Sequence, residues 1–250
     1  MNRREMLKVS GAAVAGASVL GLSSIADAAE HSATGSIKKK ALIIGAHPDD
    51  PETICGGTSI LLSQAGYEVV NVYLTRGEAG IEGKSHNEAA AIRAVEAENA
   101  CKITGARCVF LTQIDGSCEI NKERYKEMKD VIEKENPNLV FTHWPIDYHR
   151  DHRICSILVF DAWRQLDHSF ELFYCEAMSG LQSQLFTPTD YVNIDSVADL
   201  KRKACDCHIS QGMPDIYHWH EEMELFRGLE NHCKRAEAFI RQRWNKNYIF

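Results

Sequence analysis

From Lys38 onward, short unbroken apolar runs alternate with longer stretches of mixed polarity. "KKALIIGAH" is the first such run; with no polar residue from Ala41 to Ile44 it predicts a strand covered on both faces, as in the middle of a parallel sheet. Thr53 to Gly66 then has helical spacing and a closing glycine, "YEVVNVYLT" predicts a second strand, and "HNEAAAIRAVEAENACKIT" a long helix stopped at Gly105. "RCVFLT" predicts a third strand, residues 120–135 a third helix, "NLVFTHW" a fourth strand, and Asp151 to Leu166 another helix. After "SFELFYCEAM" and a strand at "DYVNID", helical patterns return from Val197 to Ser210 and from His220 to Arg241. Parallel neighbours need crossover helices, so this alternation predicts an α/β fold. The expected form is a doubly wound, mainly parallel, Rossmann-like sheet with helices on both faces and a C-terminal helical extension.

The N-terminus follows a different pattern. "NRREMLKVSGAAVAGASVLGLSSIADAAE" places Arg3, Arg4 and Lys8 before a weakly apolar, small-residue stretch and Ala26-Asp27-Ala28, the layout of a cleaved export signal of twin-arginine type. Residues 1–28 are therefore read as the signal, 29–37 as a small polar linker, and 38–250 as a single domain. Val9 to Ile25 is dominated by Ala, Gly and Ser and falls short of the roughly 20 apolar residues a span needs. No stable membrane span is expected after cleavage, and the expected location is the bacterial periplasm or the exterior. The formal net charge of -7, with 28 basic residues that form no stripe, argues against nucleic acid as a partner. Nine scattered cysteines do not make a disulfide framework, and no pairing follows from their spacing. "CDCH", Cys205 to His208, lies in a helical pattern without a matching second half and reads as ordinary thiols rather than a metal site.

In an open sheet of this class, the loops that follow the strands on either side of the order reversal splay apart into a crevice. The first strand ends at His47, and the fourth runs into "THWPIDYHRDHR", so two His/Asp clusters are expected to face each other there. His47 and Asp50, three apart in a Pro-containing turn, can offer a nitrogen and an oxygen to one cation, with His152 as third ligand. Three protein ligands leave a position for water, whose pKa on a hydrolytic zinc falls to roughly 7. Asp49, directed away from its neighbour, is left as general base. His149 is placed as a cation that stabilises an oxyanion or protonates the leaving nitrogen, with Asp151 orienting it. His143 reads as a core or supporting residue, and the "HWH" at 218–220 as a loop or rim feature.

"AHPDDPETICGGT", "LTRGEAG" and "PIDYHRDHR" resemble the motifs of the LmbE-like or PIG-L superfamily, metal-dependent N-deacetylases of N-acetylglucosamine-containing substrates. "IRAVEAENACKITGA" resembles the second helix of that family, "CHISQ" its His-x-Ser-Gln segment and "RGLENHCKRAEAFI" its closing helix. The resemblance implies Zn2+ on His47, Asp50 and His152; Fe2+ stays open beside it, because occupancy depends on metal supply as well as on the ligands. It implies Asp49 as general base, His149 as the charged assistant held by Asp151, and Glu52 as support for the ligand turn. Pro51 stands where many members carry another acid. Arg93 is expected to contact substrate, the alternative being an i,i+3 pair with Glu96; His208 is expected to be supporting or structural.

The expected activity is an exported, zinc-dependent N-deacetylase acting on an N-acetylated amino sugar or glycan. Two other readings remain. Two histidines and a carboxylate also make the facial triad of Fe(II) oxygenases, although their usual jelly-roll scaffold is at odds with this alternation. The other is a sugar- or metal-binding module without catalysis. Residues 77–87 and 181–189 are expected to rim the pocket.

Overall fold

The computed structural model describes residues 39–244, so the signal and linker readings lie outside the described residues. A seven-stranded sheet has the order β3-β2-β1-β4-β5-β7-β6. β1 (Lys40–Gly45), β2 (Glu68–Tyr73), β3 (Ala106–Phe110), β4 (Leu139–His143) and β5 (Glu171–Cys175) pair in parallel, with Leu42 opposite Val70 on one side and Val140 on the other. The chain moves outward from β1 through β2 to β3, then returns to place β4 on the other flank of β1. The order therefore reverses between β1 and β4, and the loops after these two strands bound the crevice.

The sequence of β1 shows why it is central. Leu42 and Ile44 enter one core with Val70, Val72, Val140, Met128, Ile132, Leu158 and Trp163, whereas Ala41 and Ile43 enter the other with Ile54, Cys55, Leu62, Phe141 and Phe173. Period-2 alternation therefore buries every side chain of the run. The covering helices are α1 (Asp50–Gln64), α2 (His86–Thr104), α3 (Lys122–Glu135) and α4 (Arg150–Gln165). α2 begins in a reciprocal Ser85–Glu88 capping box and stops at Gly105, whose φ of 75° is the left-handed conformation that ends helices. α1 begins at Asp50, earlier than the expected Thr53, because Pro51 has the φ a first helical turn needs and no amide hydrogen to satisfy there.

The C-terminal part differs from expectation. α5 (Ala198–Cys205), a 3-10 turn (Ile209–Gln211), α6 (Met213–Ile216) and α7 (His218–Glu230) are helical, but the expected closing helix ends at Glu230. Ala236–Arg241 is instead β7, an antiparallel strand inserted between β5 and β6 (Asp190–Asn193). The polar Asn231 to Arg235 turn, with His232 at φ 56°, breaks the helical register, and the ladder to both neighbours satisfies the backbone of a buried Ala236-Glu237-Ala238-Phe239 stretch. His218 to His220 opens α7 rather than forming a loop.

β7 is tied in by charge as well as by its ladder. The Glu237 carboxylate accepts from Gly57 N and Thr58 N in α1, at 2.8 and 2.7 Å, and pairs with Lys201 Nζ at 2.8 Å; the same ammonium is 2.9 Å from Glu224 Oε1. Lys201 is 2% exposed. Removing the cation would leave two buried carboxylates without it, so Lys201→Met is expected to lower unfolding free energy by about 3–5 kcal/mol. The check is urea unfolding of the variant beside the parent protein, followed by circular dichroism.

Candidate active site

His47 and Asp50 stand in the β1–α1 turn, and His149, Asp151 and His152 at the start of α4, just after β4. The crevice brings them together. The Asp50 carboxylate has Oδ2 3.3 Å from His47 Nδ1 and Oδ1 3.3 Å from His152 Nε2, and the two imidazole centroids lie 5.4 Å apart. Asp50 is positioned by its own turn: His47 N donates to its Oδ2 at 2.7 Å. β1 must also end in glycine here, because a Cβ on Gly45 would come within 2.6 Å of Asp50 Cβ.

Each of these histidines is held from behind by an acid. His47 Nε2 lies 3.1 Å from Asp115 Oδ1 and 3.4 Å from Asp151 Oδ2, while His152 Nδ1 lies 3.2 Å from Asp147 Oδ1. A carboxylate behind an imidazole fixes the ring and its tautomer and raises its basicity, the usual support for a metal-ligating histidine. The donor set fits a divalent cation: two imidazole nitrogens and a carboxylate are buried together, and the ion-pair partners of Asp50 are three histidines with no lysine or arginine. Ligand atoms of His47, His149 and His152, of Asp50, His143 and His152, and of His47, Asp115 and Asp151 fall in each case within 4.8 Å of one another.

The electrostatics follow from this crowding. Burial works against the charge of His47, but Asp115, Asp151 and Asp50 outweigh it and raise its pKa well above the ordinary value. Burial likewise opposes the charge of His152, yet Asp50 and Asp147 raise it to about 9. For Asp50, burial is overcome by His152 and His143, which hold the carboxyl well below the usual range. His149 is pushed down by burial and by the nearby His47 and His152, which favours its neutral form.

Asp49 sits apart from this group. Its backbone is at φ 120°, a conformation that costs a non-glycine residue on the order of 1–3 kcal/mol. The turn is held by Asp50 N donating to His47 O at 3.2 Å, Thr53 N to Asp49 O at 3.0 Å, and Arg93 Nη2 to Pro48 O at 2.5 Å. The result turns the Asp49 side chain away from Asp50 and onto Arg93 Nη2, at 3.0 Å. Burial raises the Asp49 pKa and Arg93 opposes it.

Several sequence expectations change in detail. Arg93 makes no pair with Glu96, whose carboxylate accepts from Ser210 N and Oγ at 2.7 and 2.6 Å. Its guanidinium is buried behind the Pro48–Asp49 turn and reaches Asp115 at 3.8 Å, with Gly77 and Gly80 packed so close that a Cβ on either would overlap it. The Asp151 carboxylate does not orient His149. It faces His47 and accepts from Gly116 N at 2.8 Å, and it is Asp151 N that donates to His149 Nδ1, at 3.2 Å. His149 thus caps α4 with one ring nitrogen and keeps Nε2 free of that bond.

His143 is fully buried, with Nε2 3.1 Å from Asp50 Oδ2 and its ring stacked on His152 at 3.8 Å. Glu52 accepts from Asn71 Nδ2 and Tyr73 Oη at 2.8 and 2.7 Å and faces His208 at 3.3 Å. The expected rim segment near 181–189 lies beside the His149 loop, with Tyr148 N donating to Gln182 O and Gln184 N to Ile146 O.

Asp115 and Asp147 were not singled out from sequence. Asp147 stands inside "PIDYHRDHR", directly after a strand of the crevice, and is legible there; Asp115 follows the outer strand β3, and only its place at the same sheet end points to it.

Residues 42–163 match the family described as PIG-L, GlcNAc-PI de-N-acetylase. The diacetylchitobiose deacetylase of Thermococcus kodakarensis is 29% identical over 198 residues, which is 72% of either chain. The 4-oxalmesaconate hydratase of Pseudomonas putida is 24% identical over 212 residues, 77% of this chain and 81% of that one. Among solved structures, N,N'-diacetylchitobiose deacetylase from Pyrococcus horikoshii superposes with a TM-score of 0.73 at 26% identity, covering 82% of this chain and 84% of that one. The matched segment runs from β1 through the His149–His152 cluster into α4, so the fold, the crevice and the family match coincide on the same residues: residues 42–163 are a segment of the PIG-L, or LmbE-like, superfamily.

Proposed function

We propose that this protein is a metal-dependent N-deacetylase that removes the acetyl group from an N-acetylated amino sugar or glycan, acting outside the cytoplasm after export. The observation that carries the reading is the pair of acid-backed imidazoles, His47 and His152, aimed at the two oxygens of Asp50. Deacetylase relatives acting on diacetylchitobiose support the substrate class, and the twin-arginine-like N-terminus supports export.

His47, Asp50 and His152 would hold the metal, Zn2+ or Fe2+, with His143 close enough to Asp50 to support it. When bound, such an ion polarises an amide carbonyl and makes water a competent nucleophile at neutral pH. Asp49 is the base that takes the proton of the attacking water; its raised pKa and its tether to Arg93 suit a group that must accept a proton and later release it. His149, neutral and with Nδ1 accepting from the Asp151 amide, carries its proton on Nε2 and donates a hydrogen bond from it to the oxyanion that develops on the amide carbonyl, and the proton held by Asp49 goes to the departing nitrogen. Asp151, Asp115 and Asp147 orient the ligand imidazoles, and Arg93 positions Asp49.

The hydratase relative makes water addition to a carbon–carbon double bond the competing reading. Deacetylation releases acetate and a free amine, and hydration releases neither. A screen of N-acetylated mono- and oligosaccharides for both products separates the two, and acetate without oxygen consumption also sets aside the Fe(II) oxygenase.

His152→Ala is expected to lose both retained metal, by elemental analysis, and acetate release; a variant keeping both would overturn the ligand assignment. Asp49→Asn should retain the metal while kcat drops by about 10²–10⁴-fold, the usual contribution of a positioned proton acceptor. Asp147→Asn touches no reacting group, so its expected signature is weaker metal binding by about 10–100-fold in competition with a chelator, with activity restored at saturating metal.

A further inference from the structure

We propose that Cys101 and Cys108 are a thiol pair that closes to a disulfide when the folded protein meets a small-molecule or protein disulfide, a modification site separate from the catalytic crevice. Cys101 stands in the last turn of α2 and Cys108 in β3, the outer strand of the sheet. The connection between them is tight, because Gly105 at φ 75° turns the chain back, and the two sulfurs meet at 2.9 Å. A bonded pair stands about 2.05 Å apart, so less than about 1 Å of closure separates this contact from a disulfide.

Access distinguishes this pair from the other two cysteines in contact, and contact distinguishes it from the equally accessible Cys207 and Cys233. Cys108 is half-buried on the sheet edge, whereas Cys101 is 3% exposed. Cys55 and Cys175 also touch one another, but both are fully buried and offer no entry to a reagent. The contact with Cys108, and then burial, hold the Cys101 thiol far above its usual pKa, so reaction begins at Cys108.

The Cys108 thiolate attacks one sulfur of the external disulfide, breaking that bond and expelling one thiolate. Cys101, as it loses its proton, attacks the Cys108 sulfur of the mixed disulfide and expels the second. Two electrons pass from the protein thiols to the reagent, and the two thiol protons end on the two released thiols. Inward, Cys101 Sγ lies 3.5 Å from Tyr73 Oη, which donates to Glu52, the second residue after Asp50. The staple would therefore anchor the outer end of the buried polar chain beneath the ligand turn.

The test treats the full-length reduced protein with oxidised glutathione, alkylates the remaining thiols, and digests with trypsin without reduction. Cleavage after Arg93, Lys102, Arg107 and Lys122 puts the two cysteines on separate peptides, AVEAENACK and CVFLTQIDGSCEINK. The expected result is these two peptides joined with loss of two hydrogens and the link fragmenting to Cys108. It should come with a melting temperature raised by roughly 5–10 °C and with no such change in Cys108→Ser. Glutathione remaining on Cys108, a link through Cys118, or two unlinked peptides would each overturn the proposal.

Discussion

The whole site is arranged around one buried carboxylate. Asp50 is the first residue of α1, where free helix amides and the helix dipole favour a negative charge, and it lies against Gly45 because no larger residue fits there. In that position its oxygens face His47, His143 and His152 at once. A buried anion is tolerated only where partners repay its lost hydration. Here the partners are histidines, which can hand over that role to a cation, rather than a lysine or arginine that would fill it permanently. The neighbouring polar groups are arranged to serve this arrangement.

The acids behind the histidines illustrate this. Asp147 comes from the loop after β4, Asp115 from the segment after β3, and Asp151 from the first turn of α4. Three elements thus converge to fix two imidazole rings, and the sheet between them is apolar on both faces. The strain at Asp49 fits the same logic. An unstrained turn would direct two adjacent acids along the chain; the φ of 120°, clamped by Arg93 from α2, turns Asp49 onto the guanidinium and leaves Asp50 to the histidines.

The same fold carries a hydratase as well as deacetylases among its relatives. Strands and helices place loops at a switch point, and the side chains on those loops choose the reaction. The segment from residue 181 to 184 is bonded to the His149 loop, and the 77–80 turn is packed on Arg93.

The sequence by itself determined the strands of the central sheet, their parallel connection and the meeting of His47 and Asp50 with His149 and His152. Runs such as Ala41 to Ile44 can be buried only in the middle of such a sheet, and right-handed crossovers leave few ways to order it. It also pointed to Arg93, expected against substrate or Glu96, whereas the fold sets its guanidinium on Pro48 O and Asp49. Tertiary structure decided the rest. β7 looked helical because its residues carry no strong alternation, and only the vacant edge of β5 and the Lys201 cluster make it a strand. The acids behind the histidines, the Arg93 clamp on Asp49 and the turning of Asp151 toward His47 depend on which loops lie side by side. Those contacts join residues up to about a hundred positions apart, and local propensity holds no information about them.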